Sequence, residues 1–591
     1  MDNLKWIIIN KINNPKPKNK VDEIKNVLLE NRGMMTKKQK EEFFNPTHPE
    51  ALELKNLGIR MAGLKKALTR IAKAVKDKEQ IIIYGDYDAD GICATAVLWE
   101  ILYFLNKNTH PYIPDRFEEG YGLNVNSVLK LKTEYPELKL IITTDNGIVA
   151  HEAVEDAKKF GIDVIVTDHH QPLAEQITRK GFKSFRGKNT VKKTVKYSYP
   201  DACAIVHTTK LSGSCVAWIL ARELGKKFKN TKLELQIQND LELAAIGAIA
   251  DQVPLLGVNR SFAKFGLDSL KETKRPGLIA LFNESGLAQT VGGVRGRWNI
   301  GMYEVNYIIV PRINAMGRME HAIDSLRLLC TRSNIKAREL ASVLGQANLK
   351  RKKLVEKVVF HAREIVEKQI WKGAIIVDNE TYHEGVIGLA ASKIVEEFGR
   401  PTIVFSKGKK ISKASARSVS GFNINESIRR LSDITLGGGG HSMAAGFSIE
   451  TDKIELFKEK FDQIVTPLLT DELLERKLKI DVELDLTDLS LEFFEIIEKF
   501  EPCGVGNPAP IFLTKNVNVY GLRTVGAGGK HLKLVIEKDG KTFEAIAFGK
   551  GDYMPVLNGK GKINIAYNLY KNTWNGKSDI QLRIRDIKSG E

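Results

Sequence analysis

Three apolar runs that each end on an acidic residue constrain this chain more than anything else in it: QIIIYGD (80–86), LKLIITTD (138–145) and DVIVTD (163–168). The first run is followed by a helical pattern, ICATAVLWEILYFLN (92–106), and the second by AHEAVEDAKKFG (150–161). A further helix is expected at about 61–77, before the first run. Short β-branched runs alternating with helix-period segments predict an α/β fold, a doubly wound parallel sheet. Such sheets bind ligands outside the carboxyl ends of their strands. Residues just after the runs are therefore the ones the fold can gather, however distant in sequence.

Four clusters sit at those positions: Asp86-Tyr87-Asp88-Ala89-Asp90-Gly91, Asp145-Asn146-Gly147, Asp168-His169-His170, and Asp251, which ends the apolar run LAAIGAIA (243–250). Each alone has a bland reading. DxD is usually a turn or cap, Asp-Asn-Gly is a turn signal, adjacent histidines are commonly surface residues, and Asp251 could cap a helix. Together they place carboxylates and two imidazoles in one crevice, where they would repel strongly without cations. Oxygen ligands with one or two nitrogens suit Mn²⁺ or Mg²⁺ rather than a thiolate-type zinc site. If DYDAD is extended, Asp86, Asp88 and Asp90 point to one side. Two metals about 3.5–4 Å apart could bind a phosphodiester, activate a water and stabilise the leaving oxygen. Gly91 would let the chain turn tightly into the next helix.

The 591 residues suit two to four domains. Lys+Arg number 90 against 72 Asp+Glu, a net charge of +18. That excess favours a polyanionic partner, nucleic acid ahead of an acidic membrane surface, with a lysine-rich solvated surface as the alternative. Cys93, Cys203, Cys215, Cys330 and Cys503 are scattered and form no CxxC pair, so reduced thiols and a cytoplasmic setting are expected. The apolar run Trp6–Ile9 is too short for a signal-peptide core, and no stretch approaches the about 18 apolar residues of a membrane span.

Residues 1–47 read as a polar, partly helical lead-in. The segment 178–196 carries eight basic side chains and no acidic one, as a solvated loop or a phosphate-binding arm. Residues 331–369 read as a long helical connector. A second α/β unit, 370–470, begins with GAIIVD, GVIGLAASKIVEEFG and PTIVFS. From 475 to 591 short alternating strands with turn signals predict a small β-barrel.

DYDADG, TTDNG, TDHH and GAIADQVPL resemble, in order, the four motifs of the DHH phosphoesterases. The fuller resemblance is to the RecJ-type exonuclease branch of that family. It is carried by IPDRFEEGYGLN (113–124), PRINAMGRM (311–319), HEGVIGLAASKIVEEFGRP (383–401), SARSVSGFNI (415–424), LGGGGHSMAAGF (436–447), FEPCGVGNPAPIF (500–512) and WNGKSDIQLRIRDI (574–587). It covers most of residues 20–590 and implies a DHH catalytic domain (48–330), a DHH-associated domain (370–470) and an OB-fold (475–591).

The resemblance further implies a metal-dependent nuclease that degrades single-stranded DNA from a 5′ end, with two divalent cations, in DNA repair and recombination. Single-strand-binding protein and a helicase would be accessory partners of a monomer. The implied metal ligands are Asp88, Asp90, Asp145, His169 and Asp251. Asp86 and Asp168 would be supports or additional ligands, and His170 would face the scissile phosphate. Arg116 lies in the substrate-contacting stretch, Arg312 and Arg318 in a substrate-binding arginine motif, and Ser415 and Arg417 in a segment similar to a 5′-phosphate pocket. An arginine fork with a hydroxyl is chemically suited to a terminal phosphate. Gly437–Gly440, with Gly439 and His441, resemble a glycine-rich turn whose backbone N–H groups can approach phosphates; a tight strand–helix connection is the other reading.

The chain departs from the family's pattern at AIVHTTKLSGSCVAW (204–218), at His207 and Ser214-Cys215, and in the basic segment. In the barrel, Tyr520, Phe543, Tyr567, Tyr570 and Trp574 are candidates for base stacking, most of them expected in the core. Two other readings are a phosphodiesterase of the same family acting on nanoRNA or cyclic dinucleotides, and a catalytically inactive DNA-binding scaffold. The complete set of motif acids weighs against the scaffold.

Overall fold

The structure, a computed structural model, describes residues 4–10, 20–179, 192–287, 297–368, 371, 373–558, 561–574 and 577–590, without the side chains of 175–179, 192–195, 573, 574, 577 and 578. The basic segment thus lies largely outside the described residues, as does the Trp574 side chain. Two compact units emerge. One is Asn45–Arg351 with Gly504–Gly506; the other holds the described residues before Asn45 and after Arg351 except those three.

The N-terminal stretch is more ordered than its polar composition suggests. It forms strand β1 (Lys5–Ile8) and helix α1 (Lys20–Asn31), whose partners lie far along the chain.

The first unit is built on β2 (Gln80–Tyr84), β3 (Thr109–Tyr112), β4 (Leu138–Thr144), β5 (Asp163–Asp168) and β8 (Ala204–His207), all parallel, in the order β3-β2-β4-β5-β8. Between β5 and β8 a separate antiparallel hairpin, β6 (Leu173–Arg179) and β7 (Lys192–Ser198), flanks the undescribed basic residues. On one face Ile82, Tyr84, Ile141, Val164 and Val166 pack with Val128, Leu131, Ala153, Val154 and Ala157 of two crossover helices. The alternate residues Ile81, Ile83, Ile142 and Ile165 are equally buried. A strand buried on both faces must be apolar throughout, which is why these runs lack polar alternation. Helix α2 (Met61–Lys76) lies on β8, while α3 (Ala89–Leu105), α4 (Gly213–Phe228) and α5 (Leu241–Ala250) pack together beside the sheet. Helix α6 (Val310–Met319) belongs to the same unit, and α7 (Asn334–Val366) is the expected connector, one helix of 33 residues.

The second unit holds a five-stranded sheet ordered β12-β13-β11-β10-β9: β9 (Ile375–Asn379), β10 (Thr402–Ser406), β11 (Ile411–Arg417), β12 (Thr435–His441) and β13 (Ala444–Glu450). Helix α8 (Glu384–Phe398) connects β9 to β10 as the predicted βαβ crossover. The short β14 (Lys477–Ile480) and β15 (Val482–Glu483) lead into β16 (Phe512–Val525), β17 (His531–Lys538), β18 (Lys541–Ala547), β19 (Ile563–Trp574) and β20 (Lys577–Ser589). The last five close on themselves through the β16–β19 pairing, forming the expected barrel. Onto this barrel the N-terminus is fastened. β1 runs parallel to β14, Trp6 Nε1 donates to Asp586 Oδ2 at 2.7 Å, and buried Arg32 donates to Asn507 Oδ1 at 2.7 Å. No described helix is long and apolar enough to cross a membrane.

Candidate active site

Local rules bring each acid to the sheet's carboxyl edge. Asp86 is buried just beyond β2, and its Oδ1 accepts the Tyr87 N–H at 2.7 Å. The DYDAD segment then leaves the extended conformation. Asp88 caps α3, accepting the Asp90 and Gly91 N–H groups at 3.0 Å, and Asp90 sits in the first helical turn. The three acids are therefore gathered by a turn and a helix start, not by strand alternation. Gly91 is already helical and is required by space: a Cβ there would stand 2.5 Å from Asp86 Cβ. Helix α6 braces the segment, with Asn314 Oδ1 accepting the Ala89 N–H at 2.7 Å.

Asp145 follows β4 with φ 64°, in the left-handed region. Its Oδ1 is buried and accepts no hydrogen bond. Burial first, then Asp90, Asp88 and Asp86, pushes its carboxyl well above the ordinary range. Asp86 is raised in the same way by burial and Asp88. Asp90 accepts the Gly213 N–H at 2.7 Å and the Ser214 N–H at 3.0 Å, in the first turn of α4, where the helix dipole favours an anion. Asp251 is the residue ending α5; burial, then Asp90 and Asp88, pushes it up to about 8.

Asp168 ends β5 with its acceptors taken by protein. Oδ1 receives the N–H groups of His169 at 2.7 Å and His170 at 3.1 Å and faces His170 Nδ1 at 2.8 Å, and Oδ2 receives the Ile148 N–H at 2.9 Å. Burial alone would raise this carboxyl, but the His170 hydrogen bond and charge hold it below its usual range. Conversely, burial would lower His170, but Asp168 raises it to about 9. His170 Nε2 also lies 3.2 Å from the Tyr121 hydroxyl, and its carbonyl accepts from His207 Nε2 at 2.7 Å.

His169 ties the clusters together. Nε2 lies 3.0 Å from Asp145 Oδ1 and 3.9 Å from Asp90 Oδ2, and Nδ1 lies 3.7 Å from Asp251 Oδ2. Burial lowers its pKa, favouring the neutral imidazole that ligates metals. Three trios offer donor atoms within 4.8 Å of one another: Asp86, Asp88 and Asp145; Asp90, His169 and Asp251; Asp145, His169 and His170. An oxygen-rich cluster in which Asp86, Asp88, Asp145 and Asp251 are held above their normal pKa, with a buried carboxylate oxygen lacking a donor, fits hard divalent cations.

The residues expected to bind substrate divide. Arg116 places its guanidinium 5.1 Å from the centre of the Tyr87 ring, and the charge of Arg318 reaches the same tyrosine, so both stand beside the acidic crevice. Arg312 is instead held by Glu284 Oε2 at 2.8 Å and the Ile308 carbonyl at 3.0 Å. In the second unit, Ser415 pairs with Gly446 and Gly446 with Gly439, while Arg417 pairs with Ala444 and Ala444 with His441. Directly paired residues share a face, so Ser415, Arg417, Gly439 and His441 form two adjacent rows. Arg417 Nη1 donates to the Ala416 carbonyl at 2.9 Å and to Ser415 Oγ at 3.3 Å. The glycines form neither a turn nor a strand–helix connection: they lie within the edge strand β12. Gly440, at φ 156°, is needed because a Cβ would meet Ala445 Cα at 2.5 Å, whereas Gly439 faces open space.

In the barrel, Tyr567 is core, its hydroxyl 2.9 Å from Thr514 Oγ1, whereas Tyr520 and Tyr570 are exposed and Phe543 is half-buried. Arg583, which the sequence reading passed over, lies 3.8 Å from the Tyr570 ring centre and 5.0 Å from that of exposed Phe548. Asn314 and Tyr121 lie within the motifs PRINAMGRM and IPDRFEEGYGLN without being singled out there, and Gly213 was not singled out either. Only the SGSC departure after β8 hinted at the last.

The strand-end cluster and the parallel sheet define the class, a DHH-family catalytic domain. The DHH family N-terminal domain matches residues 80–248, the DHHA1 domain 372–466 and the RecJ OB domain 480–586. The chain belongs to the RecJ family, whose curated members are named single-stranded-DNA-specific exonucleases. It is 35% identical to RecJ of Bacillus subtilis (strain 168) over 90% of this chain and 64% of that protein. Against RecJ of Escherichia coli (strain K12) it is 30% identical over 89% of this chain and 90% of that one. The crystal structure of RecJ from Thermus thermophilus in complex with Mn²⁺ superposes with a TM-score of 0.78 at 26% identity, covering 100% of this chain and 80% of that one.

Proposed function

We propose that this chain hydrolyses single-stranded DNA from a 5′ end, releasing nucleotides in repair and recombination, with two divalent cations, Mn²⁺ or Mg²⁺. The observation that carries this reading is the convergence on His169 of Asp90, Asp145 and Asp251, acids from three separate motifs. Asp88, Asp90, Asp145, His169 and Asp251 would hold the cations, with Asp86 within reach as a further ligand. Bound there, the cations would supply charge neutralisation of the phosphodiester and an activated water.

The chain's own groups do the rest. Asp168 orients both histidines. His170, kept protonated at neutral pH, directs a positively charged imidazole and can hold or donate a proton at a phosphate oxygen. Arg116 and Arg318 supply cations beside Tyr87. Ser415 and Arg417, with Gly439 and His441 on the same face, suit a 5′-terminal phosphate. Exposed aromatics on the barrel suit unpaired bases. A single-strand-binding protein and a helicase as partners, a monomeric state and a cytoplasmic setting belong to the same reading.

Incubating the full chain and Mn²⁺ with a long 5′-phosphorylated strand and, separately, a two-nucleotide RNA tests it. Mononucleotides released from the 5′ end of the long strand are expected. Turnover of the dinucleotide alone would instead identify a small-substrate phosphodiesterase.

A further inference from the structure

Strand β8 forms one edge of the catalytic sheet, and along it lies a cavity of about 580 Å³ to which the hydrolytic reading assigns no role. Its wall includes Arg60, Lys66, Lys210, Tyr197, Tyr199 and His207. Among the described residues no carboxylate lines it. Among the described residues, Arg60, Lys66 and Lys210 are exposed and form no ion pair. Three cations, with no anion among the described lining residues, create a positive potential that a bound anion would relieve.

The site is built rather than incidental. A Cβ at Gly63 would collide with the Ile205 carbonyl oxygen, so glycine there lets α2 rest directly on the β8 backbone and brings Arg60 and Lys66 alongside it. Thr208 Oγ1 donates to the Leu57 carbonyl at 2.7 Å and accepts the Lys210 N–H at 3.2 Å, fixing the turn that presents Lys210. The Arg60 guanidinium lies 5.1 Å from the Tyr199 ring centre, a cation beside an aromatic surface. Tyr197, on β7, is 48% exposed and so free to receive a planar group. His207 is shared with the catalytic crevice through its 2.7 Å hydrogen bond to the His170 carbonyl. Cations for a phosphate and tyrosines for a base are the two halves of nucleotide chemistry, and the volume falls within the about 300–1,000 Å³ of small-ligand sites.

We propose that this cavity binds a nucleotide, its phosphate held by Arg60, Lys66 and Lys210 and its base against Tyr197 and Tyr199. The occupant is either a free mononucleotide or one nucleotide of a strand; both present the same chemistry. The assignment stands on the cavity alone and survives if the hydrolytic reading fails.

The test is calorimetric titration of the full chain in EDTA, which prevents hydrolysis, with dAMP and separately with a 5′-phosphorylated oligonucleotide. Arg60→Glu and Tyr197→Ala change exposed side chains, and Arg417→Ala reports on the terminal-phosphate pocket of the other unit. Saturable dAMP binding that falls about tenfold or more in Arg60→Glu and Tyr197→Ala, but not in Arg417→Ala, identifies the free nucleotide. Loss of that size confined to the oligonucleotide identifies a strand nucleotide. Unchanged affinity of both ligands in both variants, with melting temperatures equal to wild type, or no binding of either ligand to wild type, overturns the proposal.

Discussion

Gly213 stands where any side chain would strike Asp145: a Cβ at this position would lie 2.6 Å from Asp145 Cγ. Glycine at the start of α4 thus gives the central carboxylate its room while its own N–H binds Asp90. Gly213→Ala should displace Asp145 and lower the hydrolysis rate about 100-fold, because misplacement on the order of 1 Å is that costly to positioned groups. The accompanying overpacking should cost about 1–3 kcal/mol of stability. Steady-state rates and denaturant unfolding check both; a variant with wild-type rates would show that Asp145 has no fixed role.

Asp168 raises His170 more than any other group, with Asp86 and Asp251 adding to it, so Asp168→Asn removes the largest contribution that opposes burial. The His170 titration, followed by imidazole NMR, should fall from about 9. In the wild type this pair stabilises the fold over a defined window. The lowered carboxyl contributes above its unfolded value and loses that contribution in acid, while the raised imidazole contributes below about 6.5 and loses it as pH rises through about 9. A His170 titration unmoved by Asp168→Asn would refute the coupling.

Asp145, Asp86 and Asp251 carry the opposite signature. A carboxyl raised on folding contributes stability at acid pH that is lost as pH climbs through its folded value. For Asp251 that window runs from its ordinary 3.8 to about 8. The cation-free protein should therefore lose stability across neutral pH, and Mn²⁺ should restore it. The rise in melting temperature on adding Mn²⁺ is expected to be larger near about pH 8 than near about pH 5. Differential scanning calorimetry at both values is the check; an equal shift would mean that protons and cations do not compete.

What could be read from the sequence was set by strand ends. Apolar runs ending at Asp86, Asp145 and Asp168 need only be strands of one parallel sheet for their acids to meet, so both fold and cluster were legible. The path of DYDAD was not, because Asp88 acts as a helix cap and a two-residue spacing fits a cap as well as a strand. The pairing of Lys5–Ile8 with Lys477–Ile480 joins residues far apart in sequence and leaves no local trace. The glycine run at 437–440 resembles a turn because close packing between strands, at Gly438 and Gly440, demands the same residue that a turn does.

Arg417 and Ser415 share one face with His441, and Arg417→Ala should erase a preference for 5′-phosphate over 5′-hydroxyl ends. Loss of charge-assisted hydrogen bonds worth about 1.5–3 kcal/mol corresponds to roughly 10- to 150-fold in the phosphorylated substrate alone. Competition between the two ends in one reaction measures it, and a preference that persists would place the phosphate elsewhere.

On the barrel, Tyr570→Ala and Phe548→Ala should each weaken single-strand binding by about 1–3 kcal/mol through lost stacking with Arg583 nearby. Tyr567→Ala should instead destabilise the fold by about 3–5 kcal/mol, since this ring is core. Fluorescence anisotropy with labelled DNA, paired with urea unfolding, separates the two effects. Unaltered DNA affinity in both exposed variants would remove the barrel face from the binding surface.

The most direct measurement is Mn²⁺ titration of wild type and Asp145→Ala, each followed by addition of a 5′-phosphorylated single strand. Wild type should take up two cations per chain and degrade the strand, while Asp145→Ala should bind fewer and leave it intact. Equal cation uptake and equal digestion by the two proteins would contradict a catalytic centre organised around Asp145.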